Sequence, residues 1–327
     1  MRVIFNVSPR EWDRIVRQSK DESFFQTRTW ANIMKDSYGF EIATRLYLFD
    51  DGAEVLLPLM KTFTRFGFFA EYVSMPLTYG GFVSSSAIEK QKIEAIFDTF
   101  AANEAVVIGP RPLFPLDCGQ GVLRLNSYTH ILQLDGGFEQ VWNHRVKYKR
   151  RNRCRKAQEM GVEIVQDCSP EAFKEYYSIY LSASLAREQT SPYPLALFEE
   201  IAGKPENIKL WLAKLDKKTI AGSIAFYNHQ GLLYWSESTF AEFMHYHPAD
   251  ALVGHIIEDA CNHGFKYIDF GGSAAAGGHE LEGVRFRKEN FGAERVDYSS
   301  YRWEGSLFRL GRRLSHLSKI GRKSDRA

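Results

Sequence analysis

The sequence has no uninterrupted apolar run of 18 residues, the length that a helix needs to cross a lipid bilayer. Its first residues, MRVIFNVSPREW, lack the basic and then apolar character of a secretory signal. Neither the spacing of the cysteines nor nearby histidines suggest a zinc site, and no CxxC pair occurs among Cys118, Cys154, Cys168 and Cys261. Reduced thiols are therefore expected. Together these absences predict a cytoplasmic protein.

The common signatures of several enzyme classes are missing as well. The chain contains no GxxxxGK(S/T), no GxGxxG after a strand, no HExxH and no GxSxG. His245 and His247 stand two residues apart, but the sequence offers no third ligand, so no metal site is predicted. The formal net charge of +2 gives no global attraction for nucleic acid. Any attraction for anions has to come from a local patch.

The 327 residues, with 44% hydrophobic and 25% charged side chains, predict one very large or two ordinary soluble domains. A hairpin, a strand, a helix and a further strand follow one another twice. The first pass runs from the turn at Asp50 to Ile108, and the second, of similar length, from Asp216 to Ile268. Such units are common enough to recur by chance, but the matching order and spacing favour an internal duplication.

The closing strand of the second pass, Lys266 to Phe270, carries an acid at its end. After Asp269 and Phe270 the strand breaks at once into Gly271, Gly272 and Ser273, where the backbone can pass close to a ligand. Ligands of open α/β sheets lie outside the carboxyl ends of the strands. Asp269 is thus a candidate site residue, and the alternative is an aspartate that only caps a turn.

A strongly basic segment, residues 138–161, is predicted as one helix between the two passes. Its positive charges have no acid among them before Glu159; they are Arg145, Lys147, Lys149, Arg150, Arg151, Arg153, Arg155 and Lys156. A solvated helix face usually alternates its charges, whereas phosphate groups would relieve this repulsion. The segment therefore predicts a phosphate-binding surface, and the alternative is a basic surface helix with no special function.

The last segment, residues 306–327, places leucines at three- and four-residue spacing among arginines and lysines. This pattern predicts a basic amphipathic helix, which docks either on its own protein or on an anionic membrane surface. The second alternative would make the protein peripheral at the inner face of the membrane.

Four motifs in this order resemble the Fem family of aminoacyltransferases: FFQTRTW, KYKRRNRCRKAQEMGVEI, YHPADALVGHIIEDACNHGFKYIDFGG and FRKENFGA. That family consists of tandem acyltransferase (GNAT-like) proteins that add amino acids to peptidoglycan precursors. The resemblance spans nearly the whole chain and implies an α/β (α+β) fold. It implies two GNAT-like domains, residues 1–134 and 135–305, each a mixed central sheet flanked by helices, followed by the basic helix at 306–327.

The resemblance also implies site residues. Lys288 matches the lysine before the Phe-Gly pair of the family's C-terminal motif, and it would balance oxyanion or phosphate charge during acyl transfer. Glu237 and Asp269 are the carboxylates nearest the expected opening between two strands, and either would orient the amine or act as base. Substrate contacts are expected from five residues, Lys149, Arg150, Arg153, Tyr234 and Arg285.

Two departures from the family leave the acyl donor open. The long helical hairpin of the pentaglycine-bridge members is missing, and His247 to Asp250 replace the pyrophosphate loop of CoA-binding enzymes. The expected co-substrate is aminoacyl-tRNA, acyl-CoA or another activated acyl group, and no tightly bound cofactor is expected. The predicted function is amide formation on an amino group of a phosphate-bearing cell-envelope precursor, of peptidoglycan or polysaccharide. The alternative is a non-catalytic protein that binds an anionic glycan or lipid-linked precursor on the same scaffold.

Overall fold

The structure is a computed structural model of the chain. It describes residues 1–19, 23–65, 68–113, 116–117, 121–186, 193–204, 207–273 and 282–313. The chain forms two compact units: Met1–Ser127 with Tyr298–Ala327, and Tyr128–Asp297. Residues 298–305, predicted as the end of the second domain, thus group with the first unit.

The first unit begins with β1 (Arg2–Ile4) and two helices, α1 (Pro9–Gln18) and α2 (Arg28–Tyr38). Ser8 and Glu11 form a capping box that fixes the start of α1, as the Ser-Pro pair predicts. The remaining elements are β2 (Glu41–Ile42), β3 (Arg45–Leu48), β4 (Glu54–Leu57), β5 (Met60–Arg65), β6 (Phe69–Val73), α3 (Lys90–Phe97), β7 (Glu104–Ile108) and the later part of β14 (Glu294–Glu304). One sheet has the strand order β1-β3-β4, and another runs β2-β5-β6-β7-β14.

The core of the first unit is aromatic and aliphatic. Trp30 is fully buried and meets Phe24 and Phe25 edge-on, with ring centroids 5.8 and 5.2 Å away. A second cluster packs α3 against β4 and β7. Arg45 is buried beside it and bonds to Glu104 at 2.8 Å, so its charge is matched inside the unit.

The second unit is a mixed sheet with helices on both faces. Its elements are the later part of β8 (Leu123–Gln133), α4 (Gly137–Gln140), α5 (Tyr148–Glu159), β9 (Glu163–Gln166), α6 (Pro170–Ala186), α7 (Leu195–Ile201), β10 (Ile208–Leu215), β11 (Lys218–Tyr227), β12 (Gly231–Thr239), α8 (Pro248–Asn262), β13 (Tyr267–Asp269) and α9 (Glu282–Asn290). The strand order is β8-β13-β12-β11-β10-β9. β12 and β13 run parallel, and their neighbours pair antiparallel.

Alternate residues of β11 show how the two helix layers are separated. Gly222 faces α6, where an added Cβ would lie 2.6 Å from the ring of Tyr176. Ala221 and Ala225 face the opposite way, into the apolar cluster that contains Leu252 and Ile256 of α8. Because strand side chains alternate between faces, α6 and α8 cover opposite sides of the sheet. The mixed α/β class predicted from the sequence is confirmed.

The prediction of a single basic helix over residues 138–161 is wrong. Residues 141–145 form a π-helical turn after α4, the chain is extended at Val146 and Lys147, and α5 begins only at Tyr148. The break is stabilised because the Lys147 N–H donates 2.9 Å to the carbonyl of Asn290. The charge pattern of the segment carries no sign of this tertiary bond.

The predicted C-terminal helix is described only in part. Residues 306–313 are helical, and residues 314–327 lie outside the described part of the chain, as does Cys118. Across the described residues, no helix has both the length and the apolar character required to span a bilayer.

Candidate active site

The site lies at the carboxyl ends of β12 and β13. The two strands pair from Gly231 opposite Tyr267 to Leu233 opposite Asp269. β13 then ends, while β12 continues to Thr239. The second half of β12 therefore runs beyond its parallel neighbour, and this is where ligands enter open α/β sheets.

Asp269 is held at this edge by two donors. Its carboxyl is buried, and Oδ1 accepts hydrogen bonds from the Thr129 hydroxyl and, at 2.8 Å, from the Gly271 N–H. Gly271 has φ +69, a conformation that suits glycine and allows this tight return of the backbone. The predicted turn cap is therefore real, and it coexists with a position inside the candidate site.

Lys288 of α9 reaches across to the same turn. Its Nζ donates to the carbonyls of Gly271 and Gly272 at 2.9 and 2.5 Å. An ammonium has three N–H donors. Within the described residues the third has no recorded acceptor. Burial lowers the pKa of Lys288 to about 8, although the nearby Asp269 opposes this shift by favouring the charged form.

Two contacts fix the position of α9, the helix that carries Lys288. The Asn290 carbonyl accepts from the Lys147 N–H, and Gly292 ends the helix at φ +87. Gly292 lies directly against the π-helical turn, since an added Cβ would stand 2.7 Å from Cβ and 2.8 Å from the carbonyl oxygen of Arg145. The start of the basic segment and the end of the lysine-bearing helix are therefore packed backbone to backbone.

Glu237, the second predicted carboxylate, is engaged in a part-buried ion pair with Arg287. Both Arg287 guanidinium nitrogens Nη1 and Nη2 donate to it, the first at 2.8 Å, and the Tyr234 hydroxyl donates at 2.5 Å. Although burial opposes the charge, the Glu237 carboxylate raises the pKa of Arg287. Burial, followed by the charge of Glu237, raises the pKa of Tyr234. This arrangement favours a charged, structural Glu237 over a proton acceptor.

The first turn of α8 supplies the next member of this network. Asp250 is buried and accepts from Arg150 at 3.0 Å, with Arg153 and Arg287 nitrogens 3.6 and 3.7 Å away. Burial lowers the pKa of Arg150, and Asp250 counteracts this. A carboxylate near a helix N-terminus is favoured by the helix dipole. A carboxylate paired with arginines therefore already stands in the first turn of α8.

The residues predicted to bind phosphate or substrate differ in their exposure and in their contacts. Lys149 is exposed, and Arg153 is one-third exposed. Arg150 is 6% exposed and points to Asp250, which gives it a structural part in this state, and its phosphate contact stays a prediction. Tyr234 is buried on Glu237, and Arg285 lies 3.7 Å from Glu289 on the same face of α9.

Sequence reasoning missed His130 and Ser273. The His130 ring is fully buried, with Nδ1 3.5 Å from the Ser273 hydroxyl and Nε2 4.0 Å from Glu289. Burial lowers its pKa, and the charge of Lys288 adds to this. A lone histidine in an apolar strand carries no signal that separates it from a core residue. Only the pairing of Asp269 with Ile131 on β8 brings it to the site.

The described residues contain no group of three or more His, Cys, Asp or Glu side chains arranged for a metal ion. The arrangement offers instead one ammonium, one turn-bound carboxylate and a strand edge that continues past its neighbour. These groups can orient an acyl carbonyl and stabilise charge on its oxygen.

Residues 144–280 match the family model of the acetyltransferase (GNAT) domain, and this stretch lies within the second unit. No protein among the curated sequences matches the chain.

Among solved structures, the crystal structure of FemX is 15% identical over 95% of this chain and 99% of its own, with a TM-score of 0.73. L-PGS from Bacillus licheniformis is 12% identical, covering 96% and 97% of the two chains, with a TM-score of 0.59. The C-terminal domain of a putative lysylphosphatidylglycerol synthetase from Agrobacterium fabrum is 10% identical, covering 91% and 95%, at 0.58. The resemblance stated from the four motifs is thereby confirmed at the level of fold.

Proposed function

We propose that this protein is an acyl- or aminoacyltransferase that forms an amide on an amino group of a cell-envelope precursor, of peptidoglycan or polysaccharide. The observation that carries the proposal is the Lys288 ammonium, held by two glycine carbonyls at the open carboxyl end of β13. The fold shared with FemX and L-PGS and the GNAT domain of the second unit support a transferase.

The reaction requires one bond to form and one to break. The acceptor amine, in its neutral form, attacks the carbonyl carbon of the activated acyl group, and a C–N bond forms while the carbonyl electrons move to oxygen. Lys288 directs its remaining N–H toward this oxyanion and stabilises it. The oxyanion then collapses, the bond from carbon to the leaving oxygen or sulfur breaks, and the amine proton leaves with the departing group or to solvent.

Asp269 and Glu237 contribute differently to this scheme. Asp269 lies close enough to favour the charged form of Lys288, and its Oδ1 is anchored by Thr129 and Gly271. We therefore assign Asp269 to keeping Lys288 protonated and the glycine turn in place. Glu237 holds Arg287 and Tyr234, so we assign it to supporting α9 and not to proton transfer.

The donor is the less determined half of the reaction. Acyl-CoA is the usual co-substrate of GNAT domains. In this chain Asp250 occupies the first turn of α8 and pairs with Arg150, so an incoming pyrophosphate would compete with a buried carboxylate. This favours an aminoacyl ester of tRNA as donor. The acceptor's phosphates would bind Lys149 and Arg153, and residues 306–327 would place the protein at an anionic membrane surface.

Supplying the purified protein with cell extract, ATP and labelled amino acids tests the proposal, with mass spectrometry to identify what becomes acylated. Loss of the product after ribonuclease treatment would identify aminoacyl-tRNA as the donor. Product formed from added acyl-CoA, after the nucleic acid has been removed, would identify acyl-CoA as the donor. Lys288→Ala should slow formation of the labelled product about 10²- to 10³-fold, whereas Lys266→Ala, which changes an exposed lysine just before the same strand, should not. Equal product from both variants would contradict the assignment of Lys288. Retention of a phosphorylated precursor without any acylation by the parent protein would favour a binding protein.

A further inference from the structure

A groove of about 730 Å³ lies on the second unit, lined by α4, the π-helical turn, α5, β9 and α8. None of its lining residues belongs to the group around Lys288 and Asp269. The two sites instead share helix α5. Arg150 and Arg153 turn toward Asp250, while Arg151 and Arg155 line the groove. The volume is within the range of small-molecule sites in proteins.

One wall of the groove is aromatic. The rings of Phe138 and Trp142 stack with centroids 5.3 Å apart and planes 27° from parallel. Trp142 is fixed from behind, because an added Cβ at Gly254 would stand only 3.1 Å from its ring. Tyr148, also in the lining, is 70% exposed. An exposed aromatic side chain beside a rigid stacked pair gives flat surfaces on which a planar ligand can stack.

The same groove carries two arginines. Arg151 is oriented by bonds from Nη1 to the carbonyls of Trp142 and Asn143, at 2.9 and 2.7 Å. Arg155 is two-thirds exposed, and its Nη2 donates 2.9 Å to the Asn152 side chain. Guanidinium groups bind phosphate through paired N–H donors, and they also stack on bases.

Amide and carboxylate groups complete the lining. Asn143, Asn152 and Gln158 offer donors and acceptors of the kind that read a base edge, while Glu163 and Glu258 add carboxylates. Carboxylates repel a second anion but accept hydrogen bonds from ribose hydroxyls, as in dinucleotide sites. An aliphatic chain would leave these polar groups without partners, so the lining disfavours a lipid tail.

We propose that this groove binds a ribonucleotide, with its base against the aromatic wall, its phosphate on Arg151 and Arg155, and its ribose hydroxyls on Glu163 or Glu258. The proposal does not depend on the acyl-transfer reaction, since it uses separate residues. The nucleotide comes either free in solution or as part of a single-stranded RNA, and both present the same base, ribose and phosphate.

Titration calorimetry with AMP, UMP, dAMP and a short single-stranded RNA measures the binding directly. Tyr148→Ala and Arg155→Gln alter exposed side chains, so both variants should fold as the parent does. Lys174→Gln, an exposed change on α6, is the matched control. Quenching of Trp142 fluorescence, identified by its loss in Trp142→Phe, provides a second readout that a ligand bound elsewhere would not change.

We expect saturable binding of AMP or UMP with Kd below about 1 mM. Tyr148→Ala should weaken it about five-fold or more, the lower range for loss of one base–aromatic stack. Arg155→Gln should weaken it most at low salt, and dAMP should bind less tightly than AMP. Tighter binding of the RNA than of AMP would identify RNA as the source, and equal affinity would identify the free nucleotide. Lack of saturation by every probe, or equal affinities in Tyr148→Ala and Lys174→Gln, would overturn the proposal.

Discussion

Lys288→Ala should lower kcat far more than it raises KM. In the proposed reaction the variant removes an N–H donor to the charge that develops in the transition state, and such a loss typically costs about 10²- to 10³-fold in rate. Substrate binding relies on other groups, so KM should stay within a few-fold of the parent value. Lys288→Arg should recover only part of the rate, because guanidinium retains the charge without the compact geometry.

The pH dependence follows from the pKa of about 8 that burial gives to Lys288. At pH 7 about nine-tenths of the side chains are protonated, and at pH 9 about one-tenth. Turnover that needs the ammonium should therefore fall above pH 8. The ratio of parent to Lys288→Arg rates should fall with it, since arginine stays charged. Deprotonation of the acceptor amine raises the rate of both proteins as the pH increases, and this shared effect cancels in the ratio.

Unfolding would not explain such a decline. The pKa of Lys288 in the folded protein, about 8, lies below the 10.5 of an ordinary lysine, so the unfolded chain binds more protons between about pH 8 and 10.5. By linkage, this group makes the free energy of unfolding increase with pH across that window. Activity should thus decrease where the contribution of Lys288 to stability increases.

Single-turnover acyl transfer, followed by mass spectrometry with an identified donor and acceptor, measures the chemical step without product release. Lys266→Ala serves as the control, and circular dichroism confirms that each variant folds. Near-parental kcat in Lys288→Ala, or a parent-to-arginine ratio that is constant between pH 7 and 9, would refute the assignment.

The other predictions concern the groups around Lys288. Asp269→Asn keeps the turn bonds but loses the charge that favours protonated Lys288, so the pH at which turnover declines should shift downward; an unchanged pH profile would limit Asp269 to capping the turn. Glu237→Gln leaves the part-buried Arg287 without its carboxylate, which should lower the free energy of unfolding by about 1–3 kcal/mol in urea titrations, and a change under about 0.5 kcal/mol would contradict a stabilising pair. The double variant of Lys149 and Arg153 to Ala should bind a phosphate-bearing acceptor more weakly, most clearly at low salt, and equal affinities across a salt titration would exclude these residues.

Local signals predicted many elements correctly. The Asp216 turn appeared as a hairpin from its polar residues, and the structure places Asp216 and Lys217 at positive φ between paired strands, as tight hairpins require. The helix predicted between the strand and the closing strand of the second pass is α8, Pro248–Asn262. These features depend on residues that are adjacent along the chain, so local sequence patterns are enough to predict them.

Contacts between distant residues could not be predicted in the same way. Positive charge marked Arg150 as a phosphate ligand, yet its partner is Asp250, 100 residues later. Glu237 is expected to orient the amine or act as base, and nothing in the sequence pairs it with Arg287, 50 residues later. The sequence shows which side chains carry charge, and only the fold determines which charges neutralise each other. The two-domain duplication and the catalytic roles remain predictions.

The close packing of Gly292 on Arg145 limits which residues can replace Gly292 during evolution. Any side chain there would collide with backbone, and φ +87 adds strain for every residue except glycine. Gly283, on the same helix, has open space where its Cβ would be, so that position can change without cost to packing. A newly met sequence that retains a glycine four residues after a lysine at the end of α9 therefore preserves the geometry of this site. In a search for divergent relatives of this chain, that glycine would be a better marker than the surrounding charges, which many surface helices share.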